Sequence, residues 1–177
     1  DIPIRFKIYL FWKNLFSKKE DSPHIKITKE GRGVRSVLFF LPEKKEDAKV
    51  INYLVKVENP LPDYEIGLVC SDKSKSFYPH VENVSLFTYN DDDLNYFNTI
   101  KSASLLNEIK IKNYDAIVDL NTNFCAASSM LSFDLDAPLK IGFDSLINRK
   151  IYTITIERKE DAFLESYFSR ILSLLGV

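Results

Sequence analysis

Short apolar runs that end abruptly in polar residues recur along this chain, with amphipathic stretches between them. Ser36 to Leu41, Tyr64 to Cys70, Val84 to Thr88, Asp115 to Leu120 and Leu139 to Phe143 have the near-continuous apolar character of strands covered on both faces. Ile151 to Ile156 alternates polar and apolar, which predicts an edge or half-exposed strand. Glu46 to Val57 sets Val50, Ile51, Leu54, Val55 and Val57 on the inner side of a helix. The acidic run Asp91-Asp92-Asp93 predicts a cap for a helix over Leu94 to Lys110, and Asn123 to Leu135 is long enough for one crossover helix. Glu160 to Leu175 reads as an amphipathic closing helix, stopped at Gly176. Strands alternating with helices at this pitch predict an α/β fold: a parallel sheet with helices on both faces and right-handed crossovers. Such a sheet binds ligands beyond the carboxyl ends of its strands.

The first nineteen residues follow a different pattern. Ile4, Ile8, Phe11, Trp12, Leu15 and Phe16 recur at helical spacing, and Arg5, Lys7, Lys13, Lys18 and Lys19 surround or follow them. An apolar stripe bearing the chain's lone tryptophan, flanked by basic residues, suits docking to a membrane surface or a protein complex. The competing reading is a helix packed on its own domain with its lysines in water. The segment from 20 to 35, charged and carrying Pro23, Gly31 and Gly33, reads as a linker. The division is therefore an amphipathic helix over 1–19, a linker over 20–35 and a compact domain over 36–177.

Composition narrows the function. With 45% hydrophobic residues the 177-residue chain can build a substantial core, and a net charge of −1 gives no support for a nucleic-acid partner. Cys70 and Cys125 are too few for a disulfide framework and read as small buried hydrophobes. That predicts a reducing, cytoplasmic setting, with the N-terminal helix peripheral on the inner face of the membrane. His24 and His80 have no neighbouring Cys or His, so no metal set is present. Gly31-Arg32-Gly33 precedes the first strand, whereas a phosphate cradle must follow one, and no cofactor is implied.

Two motifs carry a resemblance. Tyr114-Asp115-Ala116-Ile117-Val118-Asp119-Leu120-Asn121 is followed by a short helix and by Lys140-Ile141-Gly142-Phe143-Asp144, whose glycine is expected to let the backbone turn sharply. In this order and spacing they resemble the N-terminal domain of glycosyltransferase family 9, the ADP-heptose:lipopolysaccharide heptosyltransferases. Phe163 to Gly176 is similar to the helix that precedes that family's interdomain hinge. The resemblance implies a Rossmann-like domain, a single half of a GT-B fold, on the side that receives the acceptor sugar-lipid. It also implies that the donor-binding half is missing from the sequence, which begins at Asp1 without a methionine and leaves room for residues at either end.

The loop after the first strand departs from the family. Pro42-Glu43-Lys44-Lys45-Glu46-Asp47-Ala48 stands where the family has a glycine-aspartate pair, and the threonine-proline of the family's following helix has no counterpart in Val50 to Leu54. With one gap, Asp47 falls opposite the aspartate that the resemblance makes a general base, and Glu46 replaces the glycine. The alternative for Asp47 is a helix N-terminal carboxylate. Asn121 and Asn123, at the end of the fourth strand, are candidates for binding acceptor hydroxyls; the alternative for them is capping the next helix. Asp119 and Asp144 read as turn or cap residues, and Tyr89, Tyr96 and Tyr152 as ordinary aromatics. The expected function is a non-catalytic relative of the heptosyltransferases acting as a scaffold or interaction subunit. The alternative is the acceptor-binding half of a lipopolysaccharide-type glycosyltransferase.

Overall fold

A computed structural model describes residues 2–16, 33–54, 64–78, 84–158 and 163–175. Its centre is a six-stranded, all-parallel sheet formed by β1 (Ser36–Phe40), β2 (Glu65–Ser71), β3 (Val84–Tyr89), β4 (Ala116–Asp119), β5 (Leu139–Phe143) and β6 (Ile154–Ile156). Their order across the sheet is β3-β2-β1-β4-β5-β6. The chain winds outward from β1 to β3 and then returns to pair β4 on the other side of β1, so the order reverses between β1 and β4. Register follows the apolar runs, with Leu38 opposite Gly67 and Ile117, and Phe40 opposite Val69 and Asp119.

Side-chain alternation sorts the core into two layers. Val37, Phe39, Leu68, Val118, Ile141 and Phe143 face one way, against α2 (Lys45–Leu54) and α5 (Leu164–Leu175), through Ala48, Ile51, Phe168 and Ile171. Leu38, Phe40, Val69 and Ile117 face the other way, against α3 (Ala103–Ile111) and α4 (Ala126–Asp134), through Leu105, Ile109, Ala127 and Leu131. Helices on both faces explain why these strands read as continuous apolar runs. Asp115 closes the amino end of the β1–β4 pair: its Oδ2 accepts from the backbone N–H of Arg35 and of Ser36, at 2.8 and 3.0 Å.

Several expected elements are altered. The helix expected over Leu94 to Lys110 begins only at Ala103. Asn90 instead caps a single 3-10 turn, Asp91–Asp93, taking the Asp92 and Asp93 N–H groups while the Asp93 side chain accepts from the Asn90 N–H. An isolated antiparallel bridge then pairs Leu94 with Ile100 around a tight turn. Asn98 sits there at φ 58°, a left-handed conformation that asparagine tolerates and a helix interior does not. Residues 151–153 precede β6 rather than belonging to it, because a 3-10 turn at Asn148–Lys150 runs into them. The third helix of the pattern, expected from Asn123, begins at Ala126. Val55 and Val57, the linker from 20 to 32, His24, His80 and Gly176 lie outside the described residues.

The N-terminal helix α1 (Ile4–Phe16) packs on the domain, but not with the stripe the spacing marks out. Phe6, only 1% exposed, and Leu10 join Met130, Ile147, Ile151 and Tyr152 in a third core. Phe6 meets the edge of Phe124 at 4.8 Å, Tyr9 stacks on Phe97 at 4.7 Å, and Lys13 pairs with Asp134. Ile4, Ile8, Phe11, Trp12 and Leu15 lie on the opposite side and are 56–76% exposed. The Phe16 side chain lies outside the described residues. The helix is thus apolar on two faces, and the stripe at Ile4, Ile8, Phe11, Trp12 and Leu15 is the outer one. Among the described residues no helix is long and apolar enough to cross a membrane.

Burial makes a pH prediction. It pushes the Cys70 thiol up to about 11 and raises the Tyr78, Tyr114 and Tyr152 hydroxyls above their ordinary range. Their folded values exceed their unfolded ones, so the stability linked to them is fully present below the unfolded thiol value of 9.0. It is lost as pH rises through the folded values. The melting temperature followed by circular dichroism is therefore expected to fall by several degrees between pH 9 and 11. A flat profile across that window would show that these groups ionise without unfolding the chain.

Candidate functional site

The strand order reverses between β1 and β4, so the segments leaving their carboxyl ends diverge to opposite faces and open a crevice. A cleft of about 530 Å³ lies there. One wall comes from the β1–α2 loop and first turn of α2, with Pro42, Glu43, Lys44 and Asp47. Asn121, Thr122, Asn123 and Phe124, from the β4–α4 loop, form the facing wall. Tyr89, Asp91, Leu94, Phe97 and Asn98 close a third side, and Pro3, Arg5 and Phe6 of the N-terminal segment a fourth.

The structure brings Asp47, Asn121 and Asn123 to one place, although 74 residues separate Asp47 from Asn121 in sequence. Thr122 Oγ1 donates to Asp47 Oδ2 at 2.7 Å and ties the two walls together. Asp47 is therefore both a carboxylate of the first turn of α2 and a group at the cleft. Asn123 is exposed at the rim, and neither Asn121 nor Asn123 is the residue that caps α4, a position held by Cys125. Charges around the cleft are mixed: Lys73 is held by Asp91 at 2.7 Å, and the Arg5 guanidinium lies 4.9 Å from the centre of the Tyr96 ring. Glu43 and Lys44 add one charge of each sign, and the rest of the lining is amides, a hydroxyl, the Asp47 carboxylate and aromatic edges. Such a lining pairs with hydroxyl groups and packs on the apolar face of a sugar ring.

Asp119 is more than a turn residue. It is 3% exposed, and its carboxylate takes four donors: the Asn121 N–H at 3.0 Å, Asn121 Nδ2 at 2.7 Å, Ser128 Oγ at 2.7 Å and Tyr152 Oη at 2.6 Å. Burial raises its proton affinity, and hydrogen bonds from Tyr152, Ser128 and Asn121 work against that. Tyr152, read as an ordinary aromatic, supplies the shortest of these bonds, and burial together with Asp119 keeps its hydroxyl protonated. Gly142 explains how it gets there. The residue lies inside β5 rather than at a turn, and a Cβ on it would come within 2.6 Å of the Tyr152 ring. Gly67 plays the same part for Tyr114, whose hydroxyl would meet such a Cβ at 2.9 Å. Asp144, at the end of β5, is bound by Arg149, which holds its carboxyl below the usual range.

Cys125 borders the cleft, but burial and the neighbouring Asp119 push its thiol up, which leaves it a poor nucleophile. Among the described residues no group of three His, Cys, Asp or Glu side chains is placed to hold a metal ion.

Sheet order, two-sided helical cover and a cleft at the switch point define a Rossmann-like α/β domain of the kind that forms half of a GT-B glycosyltransferase. A glycosyl transferase of family 9 from Veillonella parvula DSM 2008 superposes with a TM-score of 0.56 at 17% identity, covering 81% of this chain and 41% of that one. The heptosyltransferase WaaC of E. coli, solved with ADP, gives 0.55 at 16% identity, covering 80% of this chain and 47% of that one. At these identities the likeness is one of fold, and the chain spans less than half the length of either structure. In sequence the chain belongs to a family of unknown function, DUF6913, whose model matches residues 9–176. No curated protein matches it.

Proposed function

We propose that this chain is a sugar-binding relative of the heptosyltransferase N-terminal domain that works as an interaction subunit, held at an anionic membrane through α1. The observation that carries the binding part is the convergence of Asp47 with Asn121, Thr122 and Asn123 across the switch point. Hydrogen-bonding groups from the first turn of α2 and from the β4–α4 loop are joined there around a cleft large enough for a sugar, as ligand sites of open parallel sheets are built. Glu46 supports binding without chemistry. It puts a charged side chain where the resembling family keeps a glycine for close backbone approach.

A second reading, the acceptor half of a working glycosyltransferase, is favoured by Asp47 itself. A half-buried carboxylate in the first turn of α2, at the edge of the cleft, stands where a general base for an acceptor hydroxyl would stand.

The test is a titration of the isotope-labelled chain, followed by NMR, with a free aldoheptose and, separately, with ADP. The aldoheptose is expected to move the backbone resonances of Asp47 and of residues 121–123, and ADP to leave them in place. Shifts confined to other parts of the surface, or none at millimolar sugar, would reject the cleft as a sugar site. Asp47→Asn separates the two readings. An amide oxygen still accepts from a hydroxyl, so sugar binding is expected to change by less than about tenfold. Asp47→Asn abolishing transfer to an acceptor sugar, with binding retained, would establish the second reading.

A further inference from the structure

We infer that Asp119 is a positioning residue that fixes the Asn121 side chain, so that the cleft offers hydrogen-bond acceptors and selects ligands bearing donor hydroxyls rather than anions. The inference deepens the sugar-binding reading above and rests on it for the ligand alone.

The argument starts from the amide. Asn121 has one acceptor, Oδ1, and a donor group, Nδ2, on opposite edges of one plane. Left to itself at the edge of a cleft, that plane would rotate to suit any ligand. Here it is held, because Nδ2 donates to Asp119 Oδ1 at 2.7 Å and the Asn121 backbone N–H donates to the same oxygen at 3.0 Å. The two bonds to one oxygen close a small ring that locks χ1 and χ2 of Asn121. With one Nδ2 hydrogen committed to Asp119, the plane of the amide is fixed, and Oδ1 is the acceptor that Asn121 brings to the cleft.

Asp119 can act as the anchor because it is itself immobilised. Ser128 Oγ, from α4, and Tyr152 Oη, from the segment before β6, occupy its second oxygen at 2.7 and 2.6 Å. A buried carboxylate with all its acceptor directions filled is rigid and does not swap partners. Across the cleft the Asp47 carboxylate adds further acceptor oxygens. Asn121 Oδ1 and Asp47 together make a pair of acceptors on facing walls. Such a pair suits two hydroxyls of one polyol, and with Arg5, Lys44 and Lys73 offset by Glu43, Asp47 and Asp91 the lining offers phosphate no net positive charge.

The experiment uses the full labelled chain, and its first arm needs no ligand. Solvent exchange of the Asn121 side-chain amide protons is measured by NMR against those of the exposed Asn123. One Asn121 proton is expected to exchange about tenfold more slowly, the factor a net hydrogen bond to a charged acceptor gives. The protection is expected to persist in Tyr152→Phe, which leaves Asp119 Oδ1 untouched, and to disappear in Asp119→Ala. Asp119→Asn keeps the shape of the anchor and reports if Asp119→Ala does not fold. Loss of the charged acceptor should then cut the protection several-fold. Unprotected Asn121 protons in the parent chain, or unchanged protection in folded Asp119→Asn, would overturn the inference.

The second arm titrates an aldoheptose and inorganic phosphate. The sugar is expected to bind about tenfold more weakly to Asp119→Asn, the cost of one misplaced hydrogen bond. Phosphate displacing the sugar from the cleft would overturn the donor selectivity. A protected Asn121 with no sugar response in the parent chain rejects the sugar reading and leaves the positioning by Asp119 standing.

Discussion

Gly142→Ala is expected to destabilise the domain by up to about 3 kcal/mol, a loss of roughly 6–12 °C in melting temperature for a chain of this size. The added methyl would sit 2.6 Å from Cε2 and 2.7 Å from Cδ2 of Tyr152, inside the van der Waals contact of a ring buried among Phe6, Met130 and Ile147. The ring cannot swing aside cheaply, because its hydroxyl is bonded to Asp119 and its flanks are packed. Thermal melting of Gly142→Ala, Tyr152→Leu and the double variant checks the cause. Removing the ring removes the clash, so the double variant should lie well above the sum of the two losses, by the coupling that contacting residues show. Strict additivity would mean that Gly142 is needed for something other than Tyr152.

This glycine also marks how far the sequence could be read. The inner strands were legible because they are buried on both faces, so apolar runs such as Val37-Leu38-Phe39-Phe40 and Ala116-Ile117-Val118 carry no competing signal. The strand-ending pattern likewise marked Asp119 and Asn121, and the family resemblance singled out Asp47, but only the fold brings Asp47 to the same cleft. What the sequence hid are the contacts made across it. Nothing at Tyr152 announces a partner 33 residues earlier, and nothing at Gly142 tells a turn from a space made for a ring. The helix expected from Leu94 failed for a local reason, since the Asn90 and Asn95 side chains satisfy backbone groups that a helix would otherwise pair and Asn98 takes a left-handed backbone. A run of asparagines and aspartates at that density was a signal for turns, and the acidic cluster drew the reading towards a helix cap.

The N-terminal helix misled in a subtler way, and the second prediction turns on it. Ile8→Glu with Phe11→Glu is expected to lower binding to anionic lipid vesicles by at least about 100-fold while leaving the melting transition in place. Ile8 and Phe11 lie on the exposed side of α1, at 56% and 66% exposure, away from the Phe6 and Leu10 side that packs on the domain. Full burial of such side chains in an apolar phase is worth about 1.5–3 kcal/mol each, and half of that for two residues already gives roughly tenfold. Two added carboxylates near an anionic surface cost about 1 kcal/mol apiece, which supplies the second factor of ten. The attraction they oppose comes chiefly from Lys7, Lys18 and Lys19, since Lys13 is paired with Asp134 and Arg5 lies over Tyr96 at the cleft. Vesicle co-sedimentation at two ionic strengths reads both parts, since the electrostatic share falls with salt and the apolar share does not. Phe6→Ala supplies the opposite control. It removes a buried ring from the third core, at a cost of about 3 kcal/mol or more in folding stability, without touching the outer stripe. Parent chain that ignores anionic vesicles, or a double variant that binds them as well as the parent, would mean that the outer face of α1 answers to a partner other than a membrane.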